Sequence, residues 1–194
     1  MKKVFSALLI IFLIIVGILA YPVISYLLWQ KQFKSQIPNM SCISNTSELL
    51  PLDEKFKEFV MSEDNISFIE LSSKEVLSLL QSTDIISGGD VKDICIESSK
   101  GQWSIYTKIS LQGINIPWVK LEVAKDTMET AQLYIPNIYI GNILIPENMS
   151  KNIKTQVNKG ISDALVLVNE NSFLGRKIKN IELLSDKIVV KGSL

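Results

Sequence analysis

Residues 4–29 read VFSALLIIFLIIVGILAYPVISYLLW, a run of 26 uncharged positions interrupted in its apolar character only by Ser6, Ser25, Tyr21 and Tyr26. As a helix rising 1.5 Å per residue the run extends about 39 Å, against about 30 Å for the hydrocarbon core of a bilayer, so it spans with tilt to spare. Lys2 and Lys3 precede it and Lys31 and Lys34 follow it. Tyr21, Tyr26 and Trp29 suit the outer interface, where amphipathic rings settle. A cleaved signal peptide is the rival reading, with Ala20 at the cleavage position. The apolar stretch continues well past Ala20, however, and Ile18 is bulky where a small side chain is wanted, so a retained signal anchor is expected. Pro22 would kink such a helix in lipid without ending it. The expected orientation places the N-terminus inside and the body on the extracytoplasmic side, although the lysines on the two flanks are evenly matched. Met40-Ser41-Cys42 lacks the aliphatic and small residues of a lipoprotein cleavage box, so Cys42 is not expected to be acylated.

The chain has 194 residues, 20 basic and 20 acidic side chains, two cysteines and no histidine. That excludes a Ser-His-Asp triad, a Cys-His dyad and imidazole-held metal or haem, and two cysteines cannot build a Cys₄ site. Without a concentrated basic footprint, nucleic acid is not an expected partner. Residues 1–47 hold four lysines and no acid, residues 48–99 four bases and twelve acids, and residues 100–194 twelve bases and eight acids, giving +4, −8 and +4. Such segments can fold against each other, so the asymmetry reads as ordinary solvated surface. The expected organisation is an anchor over 1–29, a juxtamembrane linker over 30–47 rich in Gln, Ser, Asn and Thr with Pro38, and one extracytoplasmic domain over 48–194.

Within that domain the hydrophobic period changes midway. Leu49, Leu52, Phe56, Phe59 and Val60 recur at helical spacing, with Pro51, Asp53 and Glu54 at the start. A strand over 66–71 follows. Ser72 and Glu75 then form a capping box, in which the serine hydroxyl accepts from the Glu75 amide while the carboxylate reaches back. The helix so begun buries Val76, Leu77, Leu79 and Leu80. After Gly88-Gly89 the period becomes two: Trp103, Ile105, Thr107, Ile109 and Leu111 alternate with Ser104, Tyr106, Lys108, Ser110 and Gln112. A strand over 91–97 is the expected partner. Over 114–125 the apolar phase shifts across Pro117, which predicts a bulge, and Pro136 predicts an edge or an irregularity over 133–140. Met149, Ile153, Val157, Ile161, Ala164, Leu165 and Val168 form the apolar stripe of a long helix begun by Pro146, with Lys154 and Asn158 on other faces. Gly160 in its middle suggests a close approach to the sheet. Residues 178–184 and 187–190, joined by Ser185-Asp186, predict a hairpin. The expected fold is α+β: an N-terminal transmembrane helix, then a curved antiparallel sheet packed on a long amphipathic C-terminal helix, with a closing β-hairpin.

LSSKEVLSLL at 71–80, IYIGNILIP at 138–146 and IELLSDKIVV at 181–190, taken in that order, resemble the YpmS-like family of membrane-anchored bacterial proteins. The resemblance covers residues 66–194 and the anchor. It implies an anchored, extracytoplasmic α+β domain with no catalytic residues to carry over. The order of elements is also similar to tubular lipid-binding folds, in which a curved sheet wraps a long helix.

On that architecture a concave sheet face covered by helix 147–170 can admit an acyl chain or other apolar ligand, lined by Trp103, Ile105, Ile109, Trp118, Leu121, Val123, Ile161 and Leu165. The same residues also suffice to close a solid core, in which case the chain is an envelope accessory that binds another protein. An enzyme is the weakest reading. Asp84, Asp90, Asp93 and Glu97, around Ser87-Gly88-Gly89, offer oxygen ligands to Ca²⁺, but their spacing matches no EF-hand loop. Glu122, Asp126 and Glu129 better fit the wet face of a strand and its turn than an acid/base pair. No Gly-x-Ser-x-Gly elbow occurs. No catalytic residue, metal or cofactor is expected. Cys42 falls in the linker and Cys95 between Ile94 and Ile96 on a predicted strand; they can bridge outside the membrane, but a buried free thiol at Cys95 is the simpler expectation. Asn39, Asn45, Asn65 and Asn148 begin Asn-x-Ser/Thr triplets to which no function is assigned.

Overall fold

A computed structural model describes residues 2–37, 40–44, 52–82, 91–99, 101–111, 114–126, 131–170 and 176–194. The side chains of 2–13, 43–44, 81–82, 91–92, 109–111, 114–117 and 167–168 lie outside that description, as do Pro38, Leu49, Pro51, Gly88 and Gly89 entirely. Helix α1, Lys2–Gln36, continues through Pro22 and past the expected end of the anchor. Strand β1, Ser41–Ser44, follows closely. Within the expected linker over 30–47, α1 therefore continues to Gln36 and Ser41–Ser44 form a strand. The polar residues of that stretch hide Phe33 and Ile37, which continue at helical spacing the stripe of Tyr26 and Trp29, and Phe33 is buried against the body.

Helix α2, Asp53–Met61, packs Phe59 and Leu52 on strand β2, Ile66–Ser72, whose residues alternate strictly between exposed and buried from Ile66 to Leu71. The capping box forms as expected at helix α3, Ser73–Ser82: the Glu75 amide donates to the Ser72 hydroxyl at 3.3 Å and the Ser72 amide to the Glu75 carboxylate at 2.8 Å. Strands β3 (Val91–Ser99), β4 (Gln102–Leu111) and β5 (Ile114–Lys125) form a meander, extended by β6 (Leu133–Tyr134), β7 (Ile138–Ile140) and β8 (Ile143–Leu144). Helix α4, Glu147–Glu170, precedes the closing hairpin of β9, Lys177–Leu183, and β10, Lys187–Ser193. The fold class is α+β.

The large sheet has the order β1-β3-β4-β5-β7-β8, with β6 also on β5, and the hairpin joins β2 in a separate sheet, β2-β10-β9. All pairs are antiparallel. One row of opposed residues in the large sheet runs Cys42, Cys95, Tyr106, Lys120, Tyr139 and Leu144; the adjacent row runs Ile96, Ile105, Leu121 and Ile138. Successive rows face opposite ways, so the sheet has an outer face carrying the first set and an inner face carrying the second. Opposite Lys108, β5 carries both Pro117 and Trp118, which is the predicted bulge, and it turns Trp118 to the outer face. The break between β6 and β7 falls at Pro136, as its missing N–H requires. The inner face is closed by Leu77 of α3 with Leu183 and Ile188 at one end, and by Val157 and Ile161 of α4 at the other.

Helix α4 is turned from its expected pose. Val157 and Ile161 do face the sheet, but Met149 is 68% exposed and Ile153 51%, while Ser150 is 1% exposed. The cause is the broken strand at Pro136. Asn158 accepts from the Ile135 amide at 2.7 Å and donates to its carbonyl at 3.3 Å, and Lys154 donates to the Pro136 carbonyl at 3.1 Å. Buried backbone groups left without a ladder partner have to be paired elsewhere, and that demand outweighs burial of Met149 and Ile153. Asn169 repeats the device on the other sheet, accepting from the Ile178 amide at 2.7 Å and donating to its carbonyl at 3.4 Å. Gly160 makes no close approach: a Cβ there would meet nothing within 4 Å.

Urea unfolding of the full chain in detergent micelles checks this account of α4. Asn158→Ala leaves the Ile135 amide and carbonyl unpaired and is expected to lower stability by about 2 kcal/mol. Gly160→Ala, in open space on a helix, is expected to raise it by up to about 1 kcal/mol.

Candidate functional site

Two places concentrate the chemistry of the molecule. The first is the junction between α1 and the large sheet. Rings at 26, 29 and 33 lie on one side of the helix, and they form a chain of contacts: Tyr26 to Trp29 at 5.8 Å, Trp29 stacked on Phe33 at 4.7 Å, and Phe33 on Tyr106 at 4.7 Å and edge-on to Trp118 at 5.0 Å. Lys108 lies 4.7 Å from the centre of the Trp118 ring and pairs with Asp93 at 2.6 Å. Beside Phe33, Cys42 and Cys95 are opposed across β1 and β3 with their Cα atoms 4.0 Å apart, and their sulfurs are bonded. This replaces the expected free thiol: once residues 41–44 join the sheet as a strand, the two cysteines are directly opposite. Closing a loop of sequence separation 53 is worth about 4 kcal/mol on a chain-entropy basis. Lower on the helix, the β7–β8 turn closes the contact. Gly141 has φ +62°, and a Cβ on it would lie 2.7 Å from Tyr26 and 2.9 Å from Trp29. Asn142 donates to the Ser25 hydroxyl at 3.0 Å.

The second place is a half-enclosed cleft of about 680 Å³ between the start of β4, the end of β5 and the tip of the closing hairpin. Trp103, Val123 and Leu183 supply its apolar part; Lys120, Glu122, Lys125 and Glu182 its charge. The Trp103 indole N–H donates to the Leu184 carbonyl at 2.7 Å, which fixes the hairpin tip over β4. Glu122 accepts from Lys120 at 3.1 Å, from Asn137 at 2.8 Å and from the Tyr139 hydroxyl at 3.2 Å. Burial alone would push its carboxyl up, but those bonds and the Lys120 charge outweigh it and hold the group below the usual range. Burial and the Glu122 charge push the Tyr139 phenol up. Glu122 and Tyr139 therefore keep their charge states through neutral pH, and what they offer a ligand is fixed hydrogen bonding rather than proton transfer.

The expected lining residues divide. Trp103, Ile105, Leu121 and Val123 share the inner face; Trp118 is on the outer face against Phe33. Ile161 packs with Leu121 and Val123 against Val119, Ile135 and Ile138, and Leu165 is half-buried on the same helix. Ile109 stands opposite Ile116 in the sheet, its side chain lying outside those described. Only Trp103 and Val123 of the set line the cleft, and no residue of α4 does. Asp84, Asp90, Glu129 and Ser87 fall outside the described residues, as do Asn39 and Asn45. Asp93 pairs with Lys108, and Glu97 accepts from the Tyr106 hydroxyl at 2.7 Å. Asp126 is exposed at the end of β5. Among the described residues no three His, Cys, Asp or Glu gather as metal ligands. The junction residues Tyr26, Trp29 and Phe33 carried a signal in the sequence, their i, i+3, i+7 spacing, which the surrounding lysines and glutamines masked.

Gly141→Ala forces a side chain into an unfavourable backbone region and against two rings, so it is expected to loosen the junction, read as increased acrylamide quenching of tryptophan fluorescence. A second expectation concerns acid. Glu75, like Glu122, is held below its ordinary value of 4.5: burial opposes this, but bonds from Lys55 and Ser72 prevail. Their contribution to stability is complete above pH 4.5 and is lost as pH falls through the lower, folded-state values. Urea midpoints measured from pH 6 downward should decline in that range, less steeply in Glu75→Gln.

No family model matches the chain, and no curated protein or solved structure matches it either, so the likeness to YpmS-like proteins rests on the sequence motifs alone.

Proposed function

We propose that this chain is a non-enzymatic, single-pass membrane protein whose α+β body stands on the extracytoplasmic side and serves as an accessory that engages another envelope protein. The observation that carries the reading is the stiff junction. Tyr26, Trp29 and Phe33 pack the end of α1 on the sheet, and the Cys42–Cys95 bond ties down the segment that follows. A domain that only captures a diffusing ligand gains nothing from a fixed attitude to the membrane; one that must meet another membrane-held surface does. α1 contains a helix long and apolar enough to cross a bilayer, Ile14–Gln36, and the most apolar part of that segment is uncovered by the body. The disulfide supports the extracytoplasmic side, because such bonds persist in oxidising compartments and are reduced in the cytosol.

A second reading, an apolar ligand, is favoured by the cleft at Trp103, Val123 and Leu183 rather than by the interface of α4 with the sheet, which Val119, Ile135, Ile138, Val157 and Ile161 fill. Crosslinking in native membranes followed by purification separates the two. A discrete protein adduct is expected; recovery of the chain alone with several crosslinker chemistries, together with stoichiometric lipid in an organic extract, would favour the ligand instead. Sidedness is read from Lys57→Cys, which an impermeant maleimide should label in intact cells. Labelling only after lysis would reverse the orientation.

A further inference from the structure

Met149 and Ile153, which the periodicity of α4 assigns to the core, stand in the open, as do Leu144 and Ile140 on the adjoining hairpin. Their exposures are 68%, 51%, 51% and 37%. Ile140 and Leu144 flank the β7–β8 turn that touches α1, and Met149 and Ile153 lie on the helix that follows β8 after two residues; exposed apolar side chains of this kind ordinarily mark a contact surface. The course of α1 tells which surface they meet. The helix crosses the outer face of the large sheet from Phe33, at Cys95, Tyr106 and Trp118, to Trp29 and Tyr26, over Gly141 at the tip of the β7–β8 turn. Its last described bond to the body is from Ser25 to Asn142. β8 is the final strand in the order of the large sheet, so α1 leaves the body past that edge. Residues 4–24 then form 21 uncharged positions. At 1.5 Å each they cover about 31 Å, the thickness of a hydrocarbon core. The membrane boundary thus falls at the level of the β7–β8 turn and of the start of α4, which follows β8 after two residues.

We propose that the body itself rests on the phospholipid bilayer, with Ile140 and Leu144 of the β7–β8 hairpin and Met149 and Ile153 of α4 seated in the interfacial zone. The occupant is lipid, because the β7–β8 turn beside these residues touches α1 at Ser25 and Tyr26, directly after its lipid-spanning part, and the inference rests on the membrane anchoring proposed above. It accounts for the pose of α4: the helix turns Lys154 and Asn158 to the broken strand, and the apolar residues displaced by that turn meet a second apolar phase instead of water. Two contacts, a span and a resting rim, fix the attitude of the body where a span alone would leave it free to tilt.

The test uses the full chain reconstituted in phosphatidylcholine vesicles. Because Cys42 and Cys95 are bonded to each other, Leu144→Cys, Met149→Cys and, for comparison, Lys57→Cys on α2 each carry a single reactive thiol for a nitroxide label. Collision with oxygen, which concentrates in lipid, is compared with collision with a water-soluble nickel chelate. The ratio of oxygen to nickel is expected to be several-fold higher at 144 and 149 than at 57. A ratio at 144 and 149 equal to that at 57, in protein that stays with the vesicles through an alkaline carbonate wash, overturns the resting rim and leaves the anchor standing. Shielding of 144 and 149 from both reagents would mean that a second copy covers the rim, which also overturns it. Release of the protein by carbonate would remove the anchor and the rim with it.

Discussion

The packing of Phe33 between Tyr106 and Trp118 is the contact on which the arrangement of this molecule turns. It requires an outer face that is apolar at one place on an otherwise polar surface, and the bulge at Pro117 supplies it by adding Trp118 to the row beside Tyr106. It requires a helix that persists beyond the hydrophobic run, and α1 does so through Gln36. It also brings β1 alongside β3, where the cysteines meet. A helix apolar enough to cross a bilayer and a folded body are thereby parts of one packed unit, without an intervening tether.

Asparagine side chains play a comparable part on the opposite side. Asn158 and Asn169 are eleven residues apart in sequence, about three helical turns, so both project from the same side of α4. Each offers a donor and an acceptor to one residue of a strand, Ile135 in the large sheet and Ile178 at the edge of the small one. One helix thus satisfies two sheet margins that would otherwise present open backbone groups. The apolar residues of α4 are arranged around these two fixed points.

Much of this was legible in the residues. The Ser72–Glu75 box, the alternation through β4, the phase shift at Pro117, the break at Pro136 and the closing hairpin each follow from local chemistry, and each stands where that chemistry puts it. What local chemistry does not hold is a requirement set by a distant strand. The turn of α4 depends on the unpaired backbone of Ile135, 23 positions away from Asn158, and outweighs the hydrophobic period in its first turns. Trp118 and Trp103 are both large and apolar, yet strand parity places them on opposite faces. The polar residues around Cys42 read as a linker; only the pairing of β1 with β3 shows its partner. The cleft likewise has no local signature, since its walls come from segments as far apart as Gly101 and Leu184.

In a chain anchored as proposed, the continuity of α1 through the Ser25–Phe33 contacts couples rotation in the membrane to rotation of the body. A helix turns about 100° with each residue, so one inserted or deleted position between the span and Ser25 would swing every lipid-facing side chain by that angle relative to the sheet. The azimuth of the body and the identity of the span's exposed ridge are therefore a single variable, and any neighbour in the bilayer that recognises that ridge also selects which side of the body it meets.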